Sequence, residues 1–432
     1  MGKKDTIFAL STPSGKSAIA VFRVSGLRSH KLIKLVSSNK KNTPNTTKLN
    51  YIIDKNKLII DQTLTTYFKS PKSFTGENMV EISCHGGLAI VKKITKTLLD
   101  IGIRMAEPGE FTRRALENNK LDLIKVEALA DLINANTEKQ RELALRNLKG
   151  DLSNLTLEIS KKIKKLLANV EAIIDFADED LPRNLLKEIK EQKENIVTNI
   201  EKIINESSMA STIRNGFLVS VIGKPNTGKS SFINYVSGRD VSIVTSFPGT
   251  TRDLVESVVE IKGYQVRFID TAGIRKYRNR VEKIGIKKAI ESSKNSDLNI
   301  IFLEKNEKSL YLKTKNKIFV RSKYDKRRKT NNQKNIFNIS SKSGYGIDKI
   351  LKKTIKTLIP KNTNENPVIS RERQLIKLKN SLKTIKTVDF NKNIDMVATD
   401  IRYALKEIEG VYHNFDIEQL LDIIFNDFCI GK

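Results

Sequence analysis

A glycine-rich segment in the middle of the chain has the residue types and spacing of a phosphate-binding loop. Its sequence is Gly223-Lys224-Pro225-Asn226-Thr227-Gly228-Lys229-Ser230-Ser231, and it follows an apolar run at residues 217–222. This matches the pattern G-x-x-x-x-G-K-[ST] in the strand-to-helix setting that the pattern requires. The glycines let backbone N–H groups converge on phosphates, Lys229 adds a cation, and Ser230 is a ligand for Mg²⁺. The segment predicts a nucleoside triphosphate site contacted by Asn226, Thr227, Gly228, Lys229, Ser230 and Ser231.

Two downstream motifs follow in the order that a GTP-hydrolysing site requires. Pro248-Gly249-Thr250-Thr251-Arg252-Asp253 offers Thr251 to Mg²⁺ and the γ-phosphate, so we expect Ser230 and Thr251 to ligate the metal. Asp270-Thr271-Ala272-Gly273 follows an apolar run and is suited to holding the metal's water shell. The residues expected to contact the nucleotide here are Thr245, Ser246, Phe247, Pro248, Gly249, Thr250, Thr251, Asp270, Thr271, Ala272 and Gly273.

The candidate base-recognition element departs from the usual Asn-Lys-x-Asp. Here it is Ser322-Lys323-Tyr324-Asp325, in which Asp325 still accepts two hydrogen bonds from guanine while the shorter Ser322 loses a contact. Ser340-Ser341-Lys342 resembles the base-contacting Ser-Ala-Lys loop. We expect Ser322, Lys323, Asp325, Ser340, Ser341 and Lys342 to bind the base, with GTP favoured over ATP.

The residues that would catalyse hydrolysis are less clearly marked. Ile274 occupies the position of the water-orienting glutamine found in many GTPases, so Glu282, after the segment 275–280, is the candidate that positions the water. The competing interpretation of Glu282 is a solvated glutamate at a helix start. Asn226, with oxygens around Thr245, Phe247 and Thr250, suggests a K⁺ beside the phosphates in place of an arginine finger, although asparagine is also common in ordinary loops.

Composition and length set broad limits. A chain of 432 residues predicts two or three domains, and 78 Lys and Arg against 49 Asp and Glu give a net charge of +29. This charge favours a polyanionic partner such as nucleic acid, or it reflects the lysine-rich composition that an AT-rich genome produces. The two cysteines, Cys84 and Cys429, exclude a disulfide scaffold, and no apolar run is long enough to span a bilayer. We expect a soluble cytoplasmic protein.

The pattern of apolar residues changes along the chain. The N-terminal part is mixed α/β, the middle and the end are helical, and a region of alternating strands and helices lies between them. The predicted strands are residues 18–24, 58–67, 79–83, 217–222, 264–269, 298–303 and 318–320, and the predicted helical stretches are 88–99, 126–209, 376–385 and 395–428. The two long helical stretches are expected to pack together. Ser14-Gly15-Lys16-Ser17 ends like a phosphate loop but lacks the first glycine, so it is expected to be a turn.

Further short motifs accompany the nucleotide motifs, in a fixed order along nearly the whole chain. They are Gly15, Arg23-Val24-Ser25-Gly26, Ser73-Phe74-Thr75-Gly76-Glu77, His85-Gly86-Gly87, Pro108-Gly109-Glu110-Phe111-Thr112, Lys120-Leu121-Asp122-Leu123 and Phe428-Cys429-Ile430-Gly431-Lys432. This set resembles the tRNA-modification GTPase MnmE (TrmE) family.

The resemblance implies a multidomain α/β plus α fold. It implies an N-terminal folate-binding and dimerisation α/β domain at residues 1–118 and a Ras-like P-loop G domain at 215–361. The G domain is inserted into a discontinuous helical domain formed by 119–214 and 362–432, which ends in the Cys-Ile-Gly-Lys segment.

The resemblance also implies functional residues outside the G domain. Arg23, Glu81, Lys120 and Lys432 would bind a one-carbon tetrahydrofolate, either the 5-formyl or the methylene derivative. Cys429 corresponds to a functionally important cysteine of the family, with a buried and inert thiol as the alternative. The catalytic set is then Glu282, Lys229, Asn226, Thr251 and Cys429.

The activity implied by the family involves two partners and tRNA. A homodimer would join the flavoprotein MnmG (GidA) in a heterotetramer and add a carboxymethylaminomethyl-type group at carbon 5 of the wobble uridine of certain tRNAs, with GTP hydrolysis stimulated by K⁺. Two alternatives stay open from the residues alone. One is a ribosome-assembly GTPase acting as an RNA-binding switch, and the other is a noncatalytic nucleotide-gated scaffold.

Overall fold

The computed structural model describes residues 5–36, 43–175, 184–207, 209–238, 256–270, 294–304, 316–326, 335–359, 368–391 and 393–413. These residues divide into two compact units, each with one six-stranded sheet. The first unit takes its residues from Met1–Ala130, Asn147–Glu179 and Val388–Lys432. The second takes them from Asp131–Arg146 and Asp180–Thr387.

Twelve helices are present among the described residues. In chain order they are α1 (Ser29–Val36), α2 (Leu88–Asp100), α3 (Glu110–Glu117), α4 (Leu123–Ile133), α5 (Glu138–Lys149), α6 (Asp151–Asp175), α7 (Leu185–Glu206), α8 (Ala210–Asn215), α9 (Lys229–Ser237), α10 (Ile347–Leu358), α11 (Glu372–Thr387) and α12 (Ile394–Tyr412). None of these helices combines the length and the continuous hydrophobicity needed to cross a lipid bilayer.

The sheet of the first unit is mostly antiparallel. Its strands are β1 (Ile7–Leu10), β2 (Ser17–Ser25), β3 (Thr47–Ile53), β4 (Ile59–Phe68), β5 (Met79–Gly86) and β6 (Arg104–Met105). Their order is β3-β4-β5-β2-β1-β6, and only β1 and β6 run parallel. Alternation along β2 sends Phe22 and Val24 to one face, where they pack with Leu32 of α1 and with Ile94 and Leu98 of α2.

The opposite face of this sheet is covered only in part. Phe111 of α3 packs there against Ile7, Ala9 and Met79. Farther along the same face, where β2, β5, β4 and β3 are paired, the side chains of Ile19, Leu49, Tyr51 and Leu64 are exposed. Arg23 and Glu81 lie opposite one another on this face, between the covered and the exposed parts.

The helices on either side of the second sheet pair with one another, as the sequence pattern predicts. In the first unit α6 packs along α12, with Ile163, Leu166 and Val170 buried on one side and Ile401 and Ile408 on the other. Polar contacts at the edge of this pair include the ion pair of Lys164 with Glu409 at 2.8 Å. In the second unit α7 packs along α11. Two helices preceding the second sheet in the sequence therefore each contact one that follows it.

The sheet of the second unit is parallel except at one edge. Its strands are β7 (Phe217–Gly223), β8 (Glu256–Ile261), β9 (Tyr264–Asp270), β10 (Leu298–Phe302), β11 (Lys317–Arg321) and β12 (Ile336–Asn338). The order is β12-β11-β10-β7-β9-β8, with β8 antiparallel to β9. Numbered within this sheet the order is 6-5-4-1-3-2, which is the strand order of a Ras-like G domain. In such sheets ligands bind at the carboxyl ends of the strands.

The chain leaves and rejoins the α7–α11 pair at one place in the second unit. The Ser207 hydroxyl, just after α7, accepts hydrogen bonds from the backbone N–H groups of Val368 and Ile369 at 3.3 and 3.2 Å. Nearby, Arg214 and Arg371 both donate to one oxygen of Asp131, at 2.8 and 2.9 Å. The two connections to the second sheet are therefore fastened side by side.

Candidate functional site

The glycine-rich segment forms a tight loop between β7 and α9, as predicted. Gly223, at the end of β7, has φ +155°, and a Cβ there would lie 2.5 Å from the carbonyl oxygen of Phe302. Gly228 has φ +93° and caps the N-terminus of α9. Both positions therefore require glycine, and the loop brings backbone N–H groups to the positive end of a helix. By contrast, Gly15 lies in an exposed bend before β2, so the Ser14–Ser17 segment is not a second phosphate loop.

Lys229 is the first residue of α9 and is almost fully buried. Its ammonium group donates a hydrogen bond of 2.6 Å to the carbonyl oxygen of Lys224, which belongs to the same loop. The Thr227 hydroxyl donates to that same oxygen at 2.8 Å. The cation is thus held at the mouth of the loop, where phosphate oxygens would replace the carbonyl as acceptors.

Ser230 and Asp270, predicted to lie around Mg²⁺, are in direct contact. The Ser230 hydroxyl donates a hydrogen bond of 2.7 Å to the carboxylate of Asp270, which ends β9 and is buried. No cluster of three or more His, Cys, Asp or Glu occurs among the residues that the structure describes. A Mg²⁺ at this point would therefore take its oxygens from Ser230, from water near Asp270 and from the nucleotide.

The base-recognition element is fastened to the phosphate loop. The Ser322 hydroxyl donates to the Thr227 carbonyl, and Lys323 donates from its ammonium group to the Asn226 carbonyl at 2.6 Å. Lys323 and Asn226 both have left-handed backbones, with φ +61° and +58°. Unusual backbone conformations of this kind are common at binding sites, where surrounding contacts hold them in place.

Asp325 is oriented by the second base-recognition segment. The Ser340 hydroxyl donates to its carboxylate at 2.7 Å, and this hydrogen bond holds the pKa of Asp325 below its ordinary value. Asp325 is consequently ionised at neutral pH and accepts hydrogen bonds only. The Ser341 hydroxyl is buried and has no hydrogen-bond partner among the described residues, which leaves it free for a ligand.

The remaining predicted nucleotide and catalytic residues lie outside the described part of the chain. They are Thr245, Ser246, Phe247, Pro248, Gly249, Thr250, Thr251, Thr271, Ala272, Gly273, Glu282 and Cys429, together with Lys432 of the predicted folate site. Their roles stay predictions. Of the K⁺ residues, Asn226 alone is described, and it is exposed in the phosphate loop.

Arg23 and Glu81, both predicted to bind folate, form an ion pair in the first unit. The Arg23 guanidinium donates to Glu81 at 2.7 Å across the β2–β5 pairing, and both side chains are partly accessible. The guanidinium also lies 6.0 Å from the centre of the Phe74 ring. Lys120 packs its aliphatic chain against Gly76 in the same loop, where an added Cβ would lie 3.2 Å from its Cγ. The 73–77 loop therefore connects three of the four predicted residues.

A buried arginine that the sequence did not single out anchors this loop. Arg114 of α3 donates to Glu77 at 3.1 Å, to Glu110 at 2.8 Å and to Asp5 at 2.9 Å. Glu77 also accepts a hydrogen bond of 2.8 Å from Ser25. Because these residues are far apart in sequence, only the quoted motifs around Glu77 and Glu110 gave any signal of the cluster.

Cys84 is an inert thiol in the core of the first sheet. Burial raises the pKa of Cys84 to about 11, with a further contribution from the charge of Asp61. Its sulfur lies 3.4 Å from the Ala20 carbonyl oxygen. The thiol is therefore protonated at neutral pH and has little nucleophilic character.

Models of two protein families match the chain. The MnmE helical domain matches residues 123–429, and the GTP-binding protein TrmE N-terminus matches residues 6–120. Both matches agree with the positions of the quoted motifs. Together they account for nearly all of the sequence.

Similar proteins match over their full length. The tRNA modification GTPase MnmE of Fervidobacterium nodosum is 39% identical, with 99% of this chain and 98% of the relative covered. The proteins of the same name from Rickettsia bellii and Pelagibacter ubique are 37% and 38% identical, with 99% of this chain and 100% of each relative covered. Because this likeness spans the first sheet, the phosphate loop and the paired helices alike, the predicted family is confirmed. The chain belongs to the tRNA modification GTPase MnmE family.

Proposed function

We propose that this chain binds GTP with Mg²⁺ and hydrolyses it at the carboxyl ends of the second sheet. The proposal rests chiefly on the hydrogen bond between Ser230 and Asp270, because it joins the phosphate-loop hydroxyl to the acid expected at the metal. Ser322 and Lys323 fasten the base-recognition element to the same loop. One nucleotide would thus be contacted at its phosphates and at its base by elements that are bonded to one another.

Within this proposal each polar group has one task. Ser230 and Thr251 would ligate Mg²⁺, which neutralises charge on the phosphates when bound. Lys229 would donate to the β- and γ-phosphates from its buried position at the start of α9. Asp325 would accept the N1–H and the 2-amino group of guanine, for which its ionised state is suited.

Hydrolysis is proposed to use Glu282 and a monovalent cation. Glu282 would orient the attacking water, since Ile274 has no hydrogen-bonding side chain. Asn226, Thr245, Phe247 and Thr250 would supply neutral oxygens to K⁺, which adds positive charge beside the phosphates when bound. The exposed position of Asn226 in the phosphate loop supports this assignment.

We expect GTP turnover to rise severalfold when K⁺ replaces Na⁺ at equal ionic strength. The reason is that K⁺ and Na⁺ differ in size, so a site shaped by a fixed set of oxygens distinguishes them. Phosphate release at saturating GTP measures the effect, with Asn226→Ala as the variant in which the two salts should become equivalent. Equal rates in both salts for the unaltered chain would contradict the K⁺ assignment.

The first unit is proposed to bind a one-carbon tetrahydrofolate through Arg23, Glu81, Lys120 and Lys432. The pairing of Arg23 with Glu81 supports this, because it sets a cation for the folate's glutamate tail beside a carboxylate that suits pterin donors. Phe74, close to the Arg23 guanidinium, offers an apolar ring at the same place. The folate would supply the one-carbon unit of the modification.

The proposed homodimer is supported by the partly uncovered face of the first sheet. Ile19, Leu49, Tyr51 and Leu64 are exposed on one face, and exposed apolar clusters of this kind are typical of protein interfaces. A second copy of the chain, pairing through the same residues, would bury them. The folate site at Arg23 lies on the same face and would then be near the interface.

Together with the flavoprotein MnmG (GidA), the chain is proposed to install a carboxymethylaminomethyl-type group at carbon 5 of the wobble uridine, in the cytoplasm. The flavin of the partner would carry out the redox step, and GTP hydrolysis would drive domain movement. Binding of tRNA is supported by α10, on which Lys349, Lys352, Lys353 and Lys356 are all exposed. Their spacing places them on one helix face, where they suit a phosphate backbone.

The test of the modification is made in cells that lack this protein. We expect the carbon-5 modification of wobble uridine to disappear from their tRNA and to return when the wild-type chain is supplied. Arg23→Ala should fail to restore it, because the folate site loses its cation. Arg28→Ala is the matched control, since Arg28 is an exposed arginine on the same unit.

Mass analysis of nucleosides from purified tRNA reads the result. Unchanged wobble uridines in the deletion cells would contradict the modification and favour the ribosome-assembly GTPase, to which the charge of +29 is equally suited. In that case ribosomal particles, rather than tRNA, should be altered. Restoration by Arg23→Ala would reject the folate assignment alone.

A further inference from the structure

Two tyrosines border the carboxylate that is proposed to read guanine. Tyr324 immediately precedes Asp325, and Tyr345 follows the Ser340–Lys342 segment. Their rings are stacked, with centroids 4.8 Å apart and planes within 10° of parallel. Tyr345 is 51% exposed, so the stack is at the surface and is not explained by packing in the core.

The stack closes a circuit of contacts around Asp325. The Asp325 carboxylate is bonded to the Ser340 hydroxyl at 2.7 Å, and the Ser340 N–H donates to the Tyr345 carbonyl at 3.0 Å. The Tyr345 ring stacks on Tyr324, whose own N–H donates to the Ile339 carbonyl at 3.0 Å. Each of the two base-recognition segments is therefore held to the other by backbone, by side-chain hydrogen bond and by ring.

Such a circuit has a particular use in this chain. Where related elements have asparagine, Ser322 has one hydroxyl donor, and that donor is already directed at the Thr227 carbonyl. Ser322 therefore ties its segment to the phosphate loop but makes no printed contact with the Ser340 segment. The relative placement of the two segments depends on Asp325, on the backbone and on the tyrosine pair.

We propose that Tyr324 and Tyr345 are positioning residues that hold Asp325 in the orientation required for guanine. The proposal rests on the proposed GTP binding and extends it to base specificity. Neither ring needs to touch the nucleotide. Two stacked rings with few rotatable bonds restrict the segments more than a single hydrogen bond between exposed groups does.

The test compares the binding of GDP and IDP to the full-length chain by calorimetry. Hypoxanthine lacks the 2-amino group that donates to Asp325, so the GDP-to-IDP affinity ratio reports how well this carboxylate is aligned. Tyr345→Ala is expected to raise the Kd for GDP by about 3- to 10-fold, the equivalent of one aromatic pair, and to raise the Kd for IDP less. The affinity ratio should fall accordingly.

Two further variants give this result its meaning. Tyr345→Phe keeps the ring and should restore the wild-type ratio, which a general structural role of the hydroxyl would not do. Tyr403→Ala is the matched control, because Tyr403 is 50% exposed and belongs to α12 in the first unit. If Tyr345→Ala unfolds, Tyr345→Leu provides the same comparison with an apolar side chain in place of the ring.

The outcomes separate this proposal from the one on which it rests. Equal losses of GDP and IDP affinity in Tyr345→Ala, or a Tyr345→Phe variant as weak as Tyr345→Ala, would overturn the positioning role. A wild-type chain that prefers neither GDP nor IDP to ADP would overturn guanine binding itself.

Discussion

Replacement of Lys229 by alanine is expected to lower GTP turnover by about 10²- to 10³-fold, the usual cost of removing one preorganised charge donor from an active site. Lys229 is buried at the start of α9, so neither a solvent cation nor a neighbouring side chain can take its place. Nucleotide affinity should fall as well, because the same ammonium group faces the phosphates in the ground state. Phosphate release and GTP binding by calorimetry measure the two effects.

Lys224→Ala is the control for this prediction. Lys224 lies in the same loop, but its side chain is exposed and pairs with Glu304 at 3.2 Å. Its loss should change turnover little, since exposed ion pairs contribute only about 0–1 kcal/mol. The contact of Lys229 with residue 224 is to the backbone oxygen, which alanine retains. Similar turnover in Lys229→Ala and Lys224→Ala would show that the phosphate loop is not the catalytic site.

Replacement of Arg114 by methionine is expected to destabilise the first unit by about 3–5 kcal/mol, the range found when one partner of a buried ion pair is removed. Arg114 is 5% exposed and compensates Glu77 and Glu110, which would be left buried without it. Amide hydrogen exchange of β1, β2 and β5 in the full-length chain measures the loss locally. Arg104→Met is the control, since Arg104 contacts Asp5 and Glu110 but is exposed. Equal effects of the two variants would contradict the role assigned to burial.

The same network predicts how the Arg114 effect depends on pH. Burial alone would raise the pKa of Glu110, but Arg104 and Arg114 hold it below its ordinary value. A carboxyl whose folded pKa is lowered contributes stability above its unfolded pKa and loses it as the pH falls through the folded value. In Arg114→Met that contribution shrinks, so the wild-type advantage should be greatest near neutral pH and decrease towards about pH 4. A constant difference across this range would argue that packing, and not charge, is lost.

The sequence predicted most of the phosphate site because its information is local. The loop from Gly223 to Ser231 is contiguous, and its pattern specifies both the strand before it and the helix after it. Longer strands were also found close to their observed limits, because alternation over many residues is a strong signal. The run at 58–67 corresponds to Ile59–Phe68 and the run at 79–83 to Met79–Gly86.

Contacts between distant segments were beyond the sequence. Arg114 meets Asp5 across more than a hundred residues of chain, and neither residue belongs to a motif that specifies the other. The first strand, Ile7–Leu10, was also missed, since four consecutive apolar residues do not distinguish a strand from a helix. The stack of Tyr324 on Tyr345 is of the same kind, because each tyrosine alone is an ordinary surface residue.

The substitution at Ser322 shows how far a motif departure can be interpreted. The sequence predicted a lost contact from the shorter side chain, and the structure directs the remaining hydroxyl to Thr227 in the phosphate loop. The side chain is buried beside Gly228, where an added Cβ would lie 2.5 Å from its oxygen. The position therefore still fastens the base element to the phosphate loop, which residue identity alone did not reveal.

The hydroxyl of Ser207, by accepting both Val368 and Ile369, brings the two ends of a long stretch of sequence to one point. A guest segment whose ends coincide imposes no stretch on its host, and the entropy of closing such a loop grows only with the logarithm of its length. The helices α7 and α11 keep their direction and their partner whatever is placed between them. This is the geometry by which a complete nucleotide-binding module is accommodated inside an older helical pair, with each able to evolve at its own pace.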